Sequence, residues 1–302
     1  PLVSSSAASD VYKRQFVGFR ILSRKRTKRI ILTDLDGSLL DHDTYSFGPA
    51  KSLLVMLEKI GIPVIPVTSK TFSEVVKLKN ELNNNHPFIT ENGSAIYIPK
   101  SYFKTTKLNW KIRNDHFLIQ NGYNRDYLID SIQNHANEFL AEFKTFNAMQ
   151  KIEGIQSIAK LAGLSEEDAW NANNREFSEV VVWLSTDKRK QMFADCLTKN
   201  GLLVQQGGRF LNITGLHTKG EAVKKLISIY CDQPGIDKCD SLAIGDSNND
   251  ISMLEGADTA LVIKPRKRKP IKVSRKTKVH ISQEFGPKGW VSGVTEWLQN
   301  FS

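Results

Sequence analysis

The stretch Ile30-Ile31-Leu32-Thr33-Asp34-Leu35-Asp36-Gly37 decides how this chain reads. A short apolar run of β type ends in two carboxylates one residue apart, and Gly37 permits a tight turn behind them. Like charges at a strand's tip repel, and partial burial raises the penalty, so the pair calls for a shared cation. A second acidic knot, Gly245-Asp246-Ser247-Asn248-Asn249-Asp250, follows another apolar run, Ser241-Leu242-Ala243-Ile244. Two carboxylate pairs, each behind a strand, predict one Mg2+ site at the carboxyl edge of a parallel sheet, where open α/β sheets bind ligands. An oxygen-lined Mg2+ site beside a free carboxylate suits phosphoryl transfer.

Strand and helix signals alternate outward from Asp34. Pro49 opens a helix with an apolar face at Leu53, Leu54, Leu57 and Ile60, and Gly61 closes it. Residues 62–67 read as a buried strand, Thr71 with Glu74 as a capping box for a helix to Leu82, and Pro87–Thr90 as a third strand. This spacing predicts an α/β fold, a doubly wound, Rossmann-like parallel sheet. From Ala95 to Gln206 the acidic motifs stop, although helices (126–143, 187–200) and a strand (178–184) continue. The expected division is an N-terminal tail over 1–28, a core over 29–94, an inserted α/β cap over 95–206, and the rest of the core over 207–302.

Each acidic-site residue has a role that its chemistry permits. Asp34 can attack phosphorus as a nucleophile, and Asp36, on the same edge, can protonate the leaving alkoxide and later take a proton from water. Thr68 offers a hydroxyl and a backbone N–H to phosphoryl oxygens, with Ser69 beside it. Lys219, at a helix start, supplies fixed positive charge toward the same oxygens. Asp34, Asp246 and Asp250, with Asp36 counted beside them, form the expected Mg2+ ligand set.

In this order the segments Asp34–Leu40, Val67–Lys70, Lys219-Gly220 and Gly245–Asp250 resemble the four motifs of the haloacid-dehalogenase superfamily of phosphatases. The cap's position is similar to that superfamily's large α/β-cap class. Thr68-Ser69-Lys70-Thr71 with Glu74, Glu91-Asn92-Gly93, Asn174–Glu179, Gly207–Phe210 and Gly286–Trp290 bring the chain closest to the mannosyl-3-phosphoglycerate phosphatases. Ser38 departs from the Thr usual after the first motif's Gly. The resemblance spans about residues 29–299 and implies Mg2+-dependent hydrolysis of mannosyl-3-phosphoglycerate to mannosylglycerate, a compatible solute. Within it, Arg175 and Ser178 are expected to reach the substrate's carboxylate or sugar, Arg suiting a planar carboxylate. Glu176, Arg209, Ser69 and Lys70 complete the expected substrate-binding set. The same chemistry could serve glucosyl-3-phosphoglycerate or sucrose-6-phosphate, or a phosphosugar mutase. A basic-tailed binding protein with a vestigial site is the remaining alternative.

Composition narrows the partners. The formal charge of +10 over 302 residues is not spread out: residues 1–29 carry a net +7 and residues 264–278 a net +9, leaving −6 elsewhere. A generally basic face for nucleic acid is not expected, and the run Pro265–Pro270 reads as a solvated loop. The partner expected is a small phosphorylated sugar or glycosyl-phosphoglycerate. Cys196, Cys231 and Cys239 form no C-x-x-C pair, which argues against a disulfide framework or zinc site and for a reducing compartment. No apolar run approaches membrane-span length, so no membrane partner is expected. Pro1–Gln15 is Ser/Ala-rich without the apolar stretch of a secretion signal, and it resembles translated adapter sequence; a cytoplasmic protein is expected.

Overall fold

The computed structural model describes residues 26–104, 110–207, 209–266 and 268–299. In chain order its strands are β1 (Thr27–Thr33), β2 (Val64–Pro66), β3 (Phe88–Thr90), β4 (Ala95–Pro99), β5 (Lys111–Arg113), β6 (His116–Gln120), β7 (Phe143–Thr145), β8 (Glu179–Trp183), β9 (Leu202–Gln206), β10 (Leu211–Gly215), β11 (Lys238–Gly245), β12 (Thr259–Lys264) and β13 (Val279–Phe285). They form three sheets, and the five-stranded one, ordered β13-β12-β11-β1-β2, is parallel throughout.

That sheet is buried on both faces, which is why its strands read as continuous apolar runs. Successive side chains point to opposite faces. Ile31, Leu242, Ile244, Leu261 and Ile263 therefore join one core, under Leu57 of the helix Lys51–Lys59 and Trp290, Val294 and Trp297 of the helix Gly286–Gln299. Ile30, Leu32, Ala243, Ala260 and Val262 join the other, under Val223, Leu226 and Ile229 of the helix Lys219–Cys231 and Met253 and Leu254 of the helix Ile251–Gly256. The order of the strands brings the carboxyl ends of β1 and β11 side by side, with Thr33 opposite Ile244. Asp34 and Asp246 leave the sheet from those two ends.

A four-stranded antiparallel sheet, β7-β8-β10-β9, separates two further cores. Val181 faces Leu128, Ile132, Phe193 and Leu197, whereas Val180 faces Phe146, Met149, Ile158 and Ala169. The third sheet, β3-β4-β6-β5, is also antiparallel.

The expected cap boundaries fall inside these sheets. Residue 94/95 lies between β3 and β4, which pair with each other, and 206/207 lies in the β9–β10 connection of one sheet. Phe88–Thr90 meets the parallel sheet through a bridge between Val67 and Ile89, but its ladder is with β4. The helix expected over 126–143 spans Arg125–His135, followed by a short turn of helix at Asn137–Phe139 and then β7. Leu128, Ile132, Ala136, Phe139 and Phe143 all feed one core, so their spacing imitates a single long helix. Of the tail expected over 1–28, residues 1–25 lie outside the described residues, and Thr27 and Lys28 already belong to β1. Among the described residues no helix is long and apolar enough to cross a membrane.

Candidate active site

The site is built around a buried lysine. Thr218 and Glu221 form a capping box that fixes the start of the helix Lys219–Cys231. A Cβ on Gly220 would lie 2.3 Å from the backbone oxygen of Ser252, so only glycine lets this helix end approach the residues after Asp250 so closely. Lys219 Nζ then donates to Oδ1 of Asp34 and to Oδ1 of Asp250, each at 2.7 Å. Burial alone would lower the Lys219 pKa, but Asp250 and Asp34 hold it above the ordinary lysine value. The ammonium is therefore a fixed charge.

Asp250 is held rigidly from its other side. Its Oδ2 accepts from the backbone N–H groups of Asp246 and Ser247 and from the Ser247 hydroxyl, at 3.0–3.1 Å. Gly37, at φ +83°, turns the chain behind Asp36, and a Cβ there would sit 3.1 Å from Asp246 Oδ2. The backbone before the nucleophile candidate is anchored by Trp290, whose fully buried indole donates to Thr33 Oγ1 at 3.0 Å.

Asp34, Asp246 and Asp250, all buried, bring carboxylate oxygens within 4.8 Å of one another. Burial, then the charge of Asp250, pushes the Asp34 carboxyl upward against the pull of Lys219. Burial and Asp250 likewise push Asp246 upward, against Arg268. Three carboxylates with one internal lysine leave an excess of negative charge in a low-dielectric site. Asp34 Oδ2 and Asp246 Oδ1 take no hydrogen bond among the described residues. An all-oxygen donor set of this charge fits a hard divalent cation such as Mg2+.

Asp36, also expected among the metal ligands, stands outside that trio. Its Oδ2 pairs with Lys70 Nζ at 2.9 Å, and its Oδ1 is buried without a hydrogen-bond partner among the described residues. Burial would lower the Lys70 pKa, but Asp36 and Glu74 hold it above the ordinary value. Lys70 also lies 5.2 Å from the ring centre of Tyr45. Thr68 is buried, and its Oγ1 accepts from the Lys70 N–H at 3.2 Å.

The second wall of the site comes from the segment before β8. Glu91 is fully buried at φ +46° and gathers that segment onto its carboxylate. The N–H groups of Glu176 and Phe177 donate to it at 3.0 Å each and the Ser178 hydroxyl at 2.5 Å. Arg175 Nη1 donates to Ser178 Oγ at 2.9 Å and to the Ser69 carbonyl at 3.3 Å, while its Nε is buried without a hydrogen-bond partner among the described residues. Arg175, Ser178 and Ser69 are thus brought together at the end of β2.

Two expected substrate contacts go elsewhere. The Glu176 carboxylate is taken by Arg113 in a two-pronged ion pair, 3.1–3.2 Å. The Arg209 guanidinium donates to the carbonyls of Leu161 and Ala162, the C-terminal end of the helix Ile155–Ala162, where a cation suits the exposed carbonyls.

Sequence reasoning did not single out Glu91 or Arg268 as site residues. Glu91 stood inside the motif Glu91-Asn92-Gly93, and an acid directly after the apolar strand run and before Asn-Gly was the available signal. Arg268 was hidden in the basic run read as solvated. Two of its arginines are engaged: Arg266 pairs with Asp41 at 2.7 Å and Arg268 with Asp246 at 2.8 Å, while beyond the run Arg275 donates to the carbonyls of Leu254, Ala257 and Asp258.

Residues 31–275 match the family model described as haloacid dehalogenase-like hydrolase. The chain is 32% identical over 274 residues to a glucosyl-3-phosphoglycerate/mannosyl-3-phosphoglycerate phosphatase of Methanococcoides burtonii, covering 90% of this chain and 97% of that one. It is 31% identical to a mannosyl-3-phosphoglycerate phosphatase of Pyrococcus horikoshii, over 80% of this chain and 93% of the other. Among solved structures, the sucrose-phosphatase of a Synechocystis species superposes with a TM-score of 0.56 at 14% identity, over 90% of this chain and 98% of that one. A Thermotoga maritima structure gives 0.62 at 16% identity, over 89% and 97%. The chain belongs to the haloacid dehalogenase-like hydrolases.

Proposed function

We propose that this haloacid dehalogenase-like hydrolase removes phosphate from a glycosyl-3-phosphoglycerate, mannosyl-3-phosphoglycerate first, with the glucosyl compound as the second substrate. The observation that carries the reading is the buried Lys219 held between Asp34 and Asp250 at the carboxyl ends of β1 and β11. The double name of the Methanococcoides relative supports keeping both sugars.

In this reading Asp34 Oδ2, the oxygen not held by Lys219, attacks phosphorus to form an aspartyl-phosphate. Asp36 protonates the departing alkoxide and then takes a proton from the water that hydrolyses the acyl phosphate. Lys219 holds Asp34 in position and favours its ionised form against the burial and the Asp250 charge that push it upward. Thr68, Ser69 and Lys70 line the phosphate's side at the end of β2, and Lys70 keeps Asp36 from drifting away from the leaving oxygen. Asp34, Asp246 and Asp250 would hold Mg2+, which when bound supplies charge neutralisation for nucleophile and phosphate. Arg175, with its unpartnered Nε, and Ser178 take the glycerate carboxylate. The cap is proposed to include the β7-β8-β10-β9 sheet and its helices, and to close over the core during transfer.

The test is phosphate release from mannosyl-3-phosphoglycerate, glucosyl-3-phosphoglycerate, sucrose-6-phosphate and a hexose phosphate, with Mg2+ and with EDTA. Preference for the two phosphoglycerates, lost on chelation and restored by Mg2+, is expected. Preference for sucrose-6-phosphate, or full activity after exhaustive chelation, overturns the reading.

A further inference from the structure

The helix that begins with Lys219 ends in Cys231, and the strand that leads to Asp246 begins Lys238-Cys239. Their sulfurs lie 3.1 Å apart. Neither serves the acidic site, and all three cysteines of the chain are free.

The turn between them holds the two sulfurs together. Asp232 N donates to Ser228 O at 2.9 Å and Gln233 N to Tyr230 O at 3.1 Å, continuing the helix end. Ile236 N donates to Gln233 O at 3.2 Å, and Gly235 takes a φ of +82° to close the turn. Asp237 is then tied to Arg26 by two hydrogen bonds, which deliver the chain into β11. Cys239 is buried, and its neighbour opposite in the sheet is Lys28 of β1. Cys231 is only half-buried. Of the two, Cys231 is the less buried.

We propose that Cys231 and Cys239 are a reversible dithiol–disulfide site whose reagent class is a hydroperoxide. The Cys231 thiolate attacks one peroxide oxygen, the O–O bond breaks, and the departing oxide leaves as water or an alcohol, giving a sulfenic acid on Cys231. Cys239 then gives up its proton and its sulfur attacks that of Cys231. The S–O bond breaks, and hydroxide leaves with the proton as water. Two thiols lose two electrons and two protons, and the peroxide is reduced. A small thiol reverses the change by exchange. Burial, then the neighbouring Cys231, pushes the Cys239 thiol up to about 12, so Cys239 is not the sulfur that meets the peroxide first.

The bond would sit at the far end of a 13-residue helix from Lys219, roughly 18 Å along its axis. It joins the helix that begins with Lys219 to the strand that leads to Asp246 without touching either residue. Its effect is therefore on unfolding: closing so short a loop should raise the melting temperature by about 3–8 °C.

The test compares the full chain treated with excess hydrogen peroxide against the same chain in dithiothreitol. Thiols titrated in denaturant should fall from three to one, and peptide mapping should find residues 231 and 239 joined with the loss of two hydrogens. Cys196→Ser should fall from two to none, and Cys231→Ser should keep both of its thiols. The oxidised wild type should melt higher, and dithiothreitol should reverse the shift. Three thiols surviving in the oxidised wild type, a bond mapped to Cys196 or to a second chain, or equal melting of the two forms overturns the proposal. The mapping and melting need no variant, so a misfolded substitution does not shield it.

Discussion

Arg268 Nη2 lies 2.8 Å from Asp246 Oδ2 and 3.2 Å from the backbone oxygen of the same residue. The guanidinium thus occupies an oxygen of one of the three carboxylates proposed to hold Mg2+. It arrives there on a strap whose neighbouring Arg266 is anchored on Asp41, in the loop that follows Gly37. Positive charge is carried to the acidic edge by the one segment that composition alone assigned to solvent.

A divalent cation entering the site must compete with Arg268 for Asp246 or share it. Arg268 is about half exposed, so its attraction is screened and worth about 0.2–1 kcal/mol. Arg268→Ala should therefore lower the half-saturating Mg2+ concentration by about 1.5- to 5-fold, read both by calorimetric Mg2+ titration and by phosphate release. A rise instead would mean that the guanidinium orients Asp246 for the metal more than it competes with it.

Asp34→Asn separates catalysis from stability. The amide oxygen still accepts from Lys219, but an amide does not attack phosphorus, so turnover should fall by at least about three orders of magnitude. The substitution also removes repulsion with Asp250, which is among the causes pushing Asp34 upward. Without metal the variant should melt no lower than the wild type, and higher at neutral pH. Near-normal phosphate release would refute the covalent route; a large fall in melting temperature would refute the repulsion.

Glu91 collects three donors from the segment Glu176–Ser178. Glu91→Ala leaves them unpaired in a buried place, at about 1–3 kcal/mol for each donor that water does not reach. A loss of about 2–5 kcal/mol in urea unfolding is expected, with a raised KM because Arg175 and Ser178 lose their seat. Glu91→Gln keeps an acceptor and should recover part of both losses. An alanine variant with unchanged KM would detach this carboxylate from the substrate side.

Lys79 gives the pH dependence a specific origin. Burial pushes its ammonium down to about 7, only weakly opposed by Glu58. An unfolded chain titrates the group near 10.5. Between those values the unfolded state binds the extra proton, so stability rises with pH, by at most about 1.4 kcal/mol per unit. Below pH 7 both states are protonated and the burial penalty is present in full. Urea unfolding from pH 7 to 9.5 should therefore show the wild type gaining on Lys79→Met. A flat difference would mean that Asn84 Oδ1, the His86 carbonyl and the Phe88 ring keep the ammonium charged.

What the sequence revealed followed from local rules. Asp34, Lys219, Asp246 and Asp250 sit at element ends marked by apolar runs, a helix start and glycines, and element ends at one sheet edge must meet. Thr71 with Glu74 was equally local. What was hidden depended on distant partners. Nothing near Arg209 announces the carbonyls of Leu161 and Ala162, and nothing near Glu176 announces Arg113. The strand at Phe88–Thr90 carries the same buried apolar pattern in a parallel or an antiparallel ladder, so its pairing with β4 could not be read from its composition.

Arg175 tests whether the wall opposite the acids selects the organic half of the substrate. Its Nη1 is committed to Ser178 and Ser69, so the group left for a ligand is the remainder of the fork, including the buried Nε, which has no hydrogen-bond partner among the described residues. A carboxylate there would make a charge-assisted contact worth about 1.5–3 kcal/mol, or about ten- to a hundredfold in kcat/KM. Arg175→Ala should lose that factor on mannosyl-3-phosphoglycerate and change little on an aryl phosphate, which has no carboxylate to bind. Equal losses on both substrates would assign Arg175 to bridging Ser69 and Ser178 across the site, since that contact serves every phosphate ester alike. No loss on either would leave substrate choice to Lys70 and Ser178, the other polar groups at the end of β2.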